Sequence, residues 1–455
     1  MSDKRPHLPA AQLPRMLSDS LLLRHAVPED RDALGDLLAS VHAGPDRTPN
    51  TTVGRWQRDL FDKGHPTIGT DEMLVVQNRH GELVSSFLMV PQTWSYAGVP
   101  IGVSLMELAA TRPDHRGHGL AKQQLTALTG ISARRGDLIQ GITDILSFGS
   151  ETGLLPAITQ RAGRGGHLRD LPVGRGGDEP ATTRPATVDD IAFLIDTEAH
   201  AVKRGLLSCL RDEAQWRHEL CGRDAGSMVH SEILIIETMN EPVGYLVLGY
   251  GGTPSFPIPG WLPGLPCPEP AVSVARFELA PGVSWSEVVP SVIRQLTLPD
   301  RRKPESYMLW LGRAHPAYDI LGDLLVRRPP EIGWFLRVPD VAALLGAIAP
   351  VLEQRLIGTA AEAFSGEFHL DLYRHGIRLA FARGKLSEIT PWPGHSRRAS
   401  DASLPEQMFH QMIFGHATWA ELSRAFPDCR LQTTRGSMLL PLLFPAQQSD
   451  IWPLI

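Results

Sequence analysis

The chain repeats itself at long range, and that repeat limits the fold more than any other feature. Arg24-x-Ala26 with Asp30 and Leu34 recurs as Arg184-x-Ala186 with Asp190 and Leu194, an offset of 160 residues. The offset holds further on: "MLVVQN" from Met73 aligns with "ILIIET" from Ile233, and strand-like runs open at Leu83 and Val243, again 160 apart. It grows to 171 where "MELA" (106–109) meets "FELA" (277–280), because the proline-rich "GGTPSFPIPGWLPGLPCPEP" (251–270) is inserted before the second copy. Solenoid repeats run to about 20–50 residues, so a period this long signals a duplicated domain.

Each copy alternates strand and helix signals. "LLLRHAV" (21–27) reads as a strand; Pro28 then suits a first helical turn, and Leu34, Leu37, Leu38 and Val41 recur at helix spacing. "MLVVQN" (73–78) and "LVSSFLMV" (83–90) flank the turn-forming "RHGE" as a hairpin, and "IGVSLMELAAT" (101–111) suits a buried central strand, so the sheet is mixed. "GRGGHLRDLPVGRGGDEPATT" (163–183) has almost nothing to bury and reads as a linker. From about 338 the pattern changes to a helix, "VAALLGAIAPVLEQRL", then two alternating strands through Phe368, Leu370, Leu372 and Ile377, Leu379, Phe381 around a His375-Gly376 turn. "TPWPGHSRRASDAS" reads as a loop leading to two short helices broken at Gly415 and ended by Pro427. The expected division is 19–165 and 181–337, both α/β, and 338–455, α+β.

Composition narrows the setting. At 455 residues, 42% hydrophobic and 21% charged, the chain has no apolar stretch of membrane-span length, and its start, "MSDKRPHLPAAQLPRMLSDS", has no apolar core of signal-peptide length. A cytoplasmic address is expected. Cys209, Cys221, Cys267 and Cys429 lie far apart, which suits reduced thiols and neither a disulfide framework nor a zinc site; no metal is expected. A net charge of −6 without a basic run gives no footprint for nucleic acid and mildly favours a cationic small molecule. No membrane partner is expected, and homo-oligomerisation is left open.

The stretch "MELAATRPDHRGHGLAKQQL" (106–125) carries the chemistry. A strand ends at Thr111, the chain turns through Pro113, and Ala121, Leu125 and Leu128 fall on one helix face. Residues 116–121 therefore lie at a helix N-terminus, where free amides and the helix dipole attract anions and glycines let a phosphate approach the backbone. Alone, Arg116-x-x-Gly119-x-Ala121 is common: R-x-x-G-x-[GA] arises by chance about once in every few chains of this length. The strand before it and the helix after it are the surroundings such a motif requires; without them it is an ordinary glycine turn.

"RPDHRGHGLAKQQL" resembles the pyrophosphate loop of the GNAT superfamily of N-acetyltransferases, and "LRHAVPEDRDALGDLL" resembles its first strand and helix. Two such halves and an α+β tail resemble the enhanced intracellular survival (Eis) acetyltransferases. That resemblance implies two tandem GNAT folds, each a mixed sheet with helices on both faces, followed by a sterol-carrier-like domain. It implies acetyl-CoA as cosubstrate, with Ala109, Ala110 and Thr111 bonding the pantetheine arm and Arg116, Gly117, His118, Gly119, Leu120 and Ala121 around the pyrophosphate. The second half keeps "ELAPGVSWSEVV" without R-x-x-G-x-A and is expected to be structural.

Amine acetylation needs a base, an oxyanion donor and an acid for the leaving thiolate. Glu107 is the first candidate base; the matching Glu278 in the degenerate half argues more strongly for a structural carboxylate. In the Eis-type proteins the terminal carboxylate serves as base, which makes Ile455 the second candidate, against a frayed terminus. The tyrosine that usually acts as acid is replaced by Thr159, whose hydroxyl is too weakly acidic. His115 and His118 receive no catalytic role. Phe368, Leu370, Leu372, Ile377, Leu379 and Phe381 suit core packing better than a lipid tunnel. The expected reaction is acetyl transfer to a small-molecule or peptide primary amine by direct attack in a ternary complex. The alternative is a protein that binds acyl-CoA or lipid without turnover.

Overall fold

The computed structural model describes residues 13–18, 20–44, 46–143, 154–160, 163–172, 179–249, 271–297, 303–328, 332–393 and 400–455. Its spine is one long hairpin, Leu83–Tyr96 and Val99–Thr111. The two strands run past the sequence reading because Ala97 (φ 48°) and Gly98 (φ 95°) form a tight two-residue turn whose left-handed backbone matches the strand twist. The inner half of the hairpin lies between Met73–Asn78 and Ile139–Thr143; its outer half accepts Leu207–Leu210 alongside residues 93–96.

The first sheet runs in the order Arg15–Ser18, Leu21–His25, Met73–Asn78, Leu83–Tyr96, Val99–Thr111, Ile139–Thr143, Ile332–Arg337, Leu155–Gln160. The second sheet repeats the middle of that order: Thr182–Pro185, Ser231–Thr238, Glu241–Gly249, Ala271–Leu279, Ser306–Trp310, then Gly163–His167. In both, one pair is parallel, 99–111 with 139–143 and 271–279 with 306–310. The repeated residues have a shared job. Arg24 grips Asp30 through two nitrogens at 2.6 and 2.9 Å while Asp30 accepts the Val27 amide; Arg184 grips Asp190 at 2.8 Å twice while Asp190 accepts the Thr187 amide. Each bidentate pair fixes the turn from first strand to first helix.

The halves are laced together. Gly163–His167, within the stretch that reads as a linker, pairs with Ser306–Trp310 of the second sheet, while Ile332–Arg337 crosses back into the first. Glycine makes this strand: a Cβ on Gly163 would stand 2.3 Å from the Trp310 ring, so the bare backbone packs where side chains could not. Residues 173–178, the proline-rich 251–270 and the loop residues 394–399 lie outside the described residues.

The third part has helices Val341–Ala347 and Ala349–Gln354, where one continuous helix is expected; the break falls at Ile348, beside Pro350. Its five-stranded sheet contains Gly366–Asp371 and Gly376–Ala382, and a further helix, Thr434–Leu443, follows Glu406–Ile413 and Trp419–Ala425. Phe368, Leu370, Leu372, Ile377, Leu379 and Phe381 are all buried in one core that continues into Trp94, Tyr96 and Trp334 of the hairpin region. The tail then returns: the Leu206 amide bonds Gln448, the Asp450 amide bonds Leu207, and Ile451 to Ile455 are buried. Among the described residues no helix is long and apolar enough to cross a membrane, no group of three or more His, Cys, Asp or Glu could hold a metal, and Cys209, Cys221 and Cys429 are free thiols. Cys267 lies outside them.

Candidate active site

The central strand opens a fork. Val99–Thr111 runs parallel to Ile139–Thr143 only through Val103, Ser104 and Leu105; beyond that the two strands part, while Gln140 to Thr143 stay paired on their far edge with Arg337 to Trp334. On its other edge the strand stays paired but carries a bulge, with Leu88 opposite Glu107 and Ser86 opposite Ala110. Leu108 takes up the extra residue in a left-handed conformation (φ 49°), which costs a branched side chain about 1–2 kcal/mol and bends the strand away from its neighbour. Residues 107–111 thus present one backbone edge with no strand against it among the described residues.

The fork leads to the glycine loop. A short turn, Pro113–His115, precedes Gly117 (φ 79°) and Gly119 (φ 70°), and Gly119 caps the helix Leu120–Arg135. A Cβ at either glycine would meet nothing within 4 Å, so the loop's outer side is open. The first intrahelical bond runs from Gln123 to Gly119, which leaves the Leu120 and Ala121 amides without a helical acceptor. Leu120 buries its side chain and so fixes the helix start, while Gln124, fully buried, ties it to Ser85 (2.7 Å) and Leu74 (3.1 Å). Arg116 folds back onto the Thr111 carbonyl at 3.2 Å; Arg116, Gly117 and His118 are exposed, and His115 is held by Asp114 at 3.0 Å. Ala109 and Thr111 are half-buried and Ala110 is buried.

The chain terminus meets this fork from the other side. Ile455 is 8% exposed and packs in one apolar cluster with Leu88, Leu108 and Ala110. Its backbone oxygen accepts Arg223 at 2.5 Å; Gln92 clasps Leu454 at both backbone groups, and Arg211 donates to the Pro453 carbonyl at 2.9 Å and stacks 3.6 Å over Trp452. Glu219 links the two cations, bonding Arg211 at 3.1 Å and Arg223. Burial would lift the Glu219 pKa, but Arg223 and Arg211 hold it below the ordinary carboxylate value. A small cleft, with room for only one or two waters, lies beside Ile455, Arg223, Met228, Val229, His230, Ser231 and Trp452.

Residues 23–143, which contain the fork and the loop, match the family model described as acetyltransferase (GNAT) domain. These residues form a GNAT acetyltransferase domain, and the chain is an acyltransferase. Solved structures with the same fold include a GCN5-related N-acetyltransferase from Kribbella flavida (16% identity, TM-score 0.60, covering 96% of this chain and 98% of that one). Another, from Anabaena variabilis, has 13% identity and TM-score 0.63 over 95% and 98%. Eis1 from Mycobacterium abscessus has 15% identity and TM-score 0.60 over 96% and 100%. No curated protein matches by sequence.

In the GNAT domain Glu107 is half-buried at the base of the fork, directly before the bulge. The terminus is not frayed. The second half has its own fork, since Ala271–Leu279 follows Ser306–Trp310 only through Val274, but the protein's own groups fill it. His315 Nε2 lies 2.8 Å from the Phe277 carbonyl, with Trp285 packed against both rings. Glu278 is fully buried among Arg204, Arg276 and His315; burial opposes its charge, yet Arg276 foremost holds it at about 2. It is a structural carboxylate. Thr159 pairs through its backbone with Gly333, and its side chain lies outside the described part.

Sequence reasoning missed Arg211, Glu219, Arg223 and Gln92, because charges in "RDEAQWRHELCGR" look like an ordinary solvated helix. It also missed His42, which follows the first helix and hydrogen-bonds the Ala109 backbone; burial foremost, with Arg116, lowers its pKa from the ordinary histidine value. His65 and His218 were missed too: their rings meet at 4.5 Å, and burial, with Arg223 nearby, pushes them to about 3 and about 4.

Proposed function

We propose that the chain transfers the acetyl group of acetyl-CoA to a primary amine in the cytoplasm, by direct attack in a ternary complex. The observation that carries this reading is the bulged fork at Leu108 running into the open loop of Gly117 and Gly119. Both glycines have the left-handed backbone and the clear outer face that an approaching pyrophosphate requires, and the Leu120 and Ala121 amides stand at the positive end of a 16-residue helix. Arg116 and His118 flank them; the backbone of Ala109, Ala110 and Thr111 supplies the edge for the pantetheine arm.

Bound acetyl-CoA supplies an activated acyl carbon and a thiolate leaving group. The Ile455 carboxylate, oriented by Arg223, takes a proton from the substrate ammonium and frees the nitrogen lone pair. The C–N bond then forms, the C–S bond breaks with its electron pair left on sulfur, the nitrogen gives its second proton to solvent, and solvent protonates the thiolate in place of the missing tyrosine. Glu107 is the competing base. We further read the two forked sheets as tandem GNAT folds centred on 19–165 and 181–337, with Gly163–His167 contributed to the second and Ile332–Arg337 to the first, and 338–455 as a sterol-carrier-like domain. The filled second fork supports a single cofactor site. Thiol release against an amine panel, corrected for hydrolysis and with products identified by mass, tests this reading. Measurable CoA binding without any acetylated amine would overturn it in favour of a binding protein.

A further inference from the structure

We propose that His42 is a catalytic base of the transfer, receiving on a ring nitrogen the proton that the acceptor nitrogen sheds as the C–N bond forms. The inference rests on the acetyl-transfer reading above and puts a residue where that reading gives the second proton to solvent. His42 caps the helix Arg31–Val41, its amide bonding the Leu38 carbonyl. That helix lies against the fork: Leu34, Leu37 and Leu38 share one apolar cluster with Leu88, Leu108 and Ala110, and Val41 packs onto it. His42 therefore enters at the bulge, where it hydrogen-bonds the Ala109 backbone.

The sense of that bond fixes what the ring can do. It favours the protonated ring, so the ring donates and the Ala109 carbonyl accepts. A neutral imidazole has a single N–H; with that spent on Ala109, the other nitrogen offers a lone pair. His42 Nε2 is buried and has no hydrogen-bond partner in the protein. Ser86 stands across from Val75 and Ala110, both in the same cluster, and its buried hydroxyl has no partner either. Two unpaired polar atoms beside the bulge of an apolar face mark a place for a polar group of the ligand.

Once bonded to the acyl carbon, the acceptor nitrogen carries a positive charge. Its N–H bond breaks with the electron pair kept on nitrogen, the proton goes to the Nε2 lone pair, and solvent takes it from the ring after the product leaves. Burial foremost, with Arg116, lowers the pKa of the ring from the ordinary histidine value, which helps it give the proton up again. Arg116 flanks the loop read above as the pyrophosphate site. A bound phosphate would offset its charge, making His42 the stronger base when the cofactor is in place.

The test follows single-turnover acetylation of 2-phenylethylamine, spermidine and an aminoglycoside, with product mass, in the unaltered chain, His42→Gln and His42→Ala, and CoA affinity by calorimetry. Glutamine can still donate to the Ala109 carbonyl but takes no proton. We expect His42→Gln to slow every amine that the unaltered chain acetylates by at least about ten-fold, with CoA affinity unchanged. Imidazole in the buffer should restore His42→Ala, and substituted imidazoles should restore it more as their basicity rises, a dependence that a packing role would not produce. A His42→Gln rate within about three-fold of the unaltered chain would overturn the inference and leave the acetyl-transfer reading standing. A loss of rate that tracks a loss of CoA affinity, and that no imidazole restores, would overturn it too and make His42 part of the cofactor site. CoA binding by the unaltered chain with no amine acetylated would overturn the acetyl-transfer reading, and this inference with it.

Discussion

Arg223 reaches the backbone oxygen of Ile455 across 232 residues of sequence, at 2.5 Å and away from solvent. The contact joins the second half of the chain to its last residue inside the core of the first half. It also brings Ile455 into one buried set with Arg211, Glu219 and Arg223.

A semisynthetic chain ending in a carboxamide keeps the Ile455 side chain and removes only the charge. If the terminus is the base, kcat should fall by about 10²- to 10⁴-fold with acetyl-CoA affinity unchanged. Stability should also fall, by about 3 kcal/mol, because Arg223 loses a buried partner. Glu107→Gln should then leave kcat within a few-fold; the opposite pattern would make Glu107 the base. Single-turnover rates and urea unfolding separate the two effects.

Gly119→Glu should weaken acetyl-CoA binding by more than ten-fold, since it sets a carboxylate where a pyrophosphate would sit. The left-handed backbone there makes any side chain cost about 1 kcal/mol. Gly119→Asn, which tolerates that conformation, is therefore the control and should keep most of the affinity. Calorimetric titration of both variants checks the assignment.

CoA should bind once per chain, because His315 and Trp285 occupy the second fork. Glu278→Gln should leave that stoichiometry and the CoA affinity intact while lowering stability by about 3 kcal/mol or more, as it strips the anion from among Arg204, Arg276 and His315. A stoichiometry of two would contradict a filled second fork.

Stability should decline as pH falls from about 6.5 towards 4. His65 and His218 are pushed to about 3 and about 4 in the folded chain, so in this window the unfolded chain binds more protons than the folded one. The stabilisation from keeping them neutral is full above the unfolded value and is lost as acid is added, with a limiting slope of about 1.4 kcal/mol per pH unit for each ring. Replacing both by Gln should flatten the decline in melting temperature over that range.

Much of the architecture is written locally. The 160-residue offset carries Arg24–Asp30 into Arg184–Asp190, and a bidentate pair six residues apart needs only its own turn to form, so both first helices are legible before any folding. The loop at Gly117 and Gly119 is legible for the same reason: backbone freedom and a helix start are properties of neighbouring residues. Gly163–His167 is not, since a strand of bare glycines is specified by Trp310 and Met308 across the sheet. The bulge at Leu108 needs the partner strand to define it, and the cleft at Ile455 needs Arg211, Glu219 and Arg223 to meet a tail more than two hundred residues away. Sequence by itself determined the strand-and-turn pattern that recurs 160 residues on, the glycine loop at a helix start and its absence from the second half, each carried by neighbouring residues. Only the tertiary structure decided which strands cross between the halves and where the terminal carboxylate lies, because burying a charge requires partners that no local sequence pattern supplies.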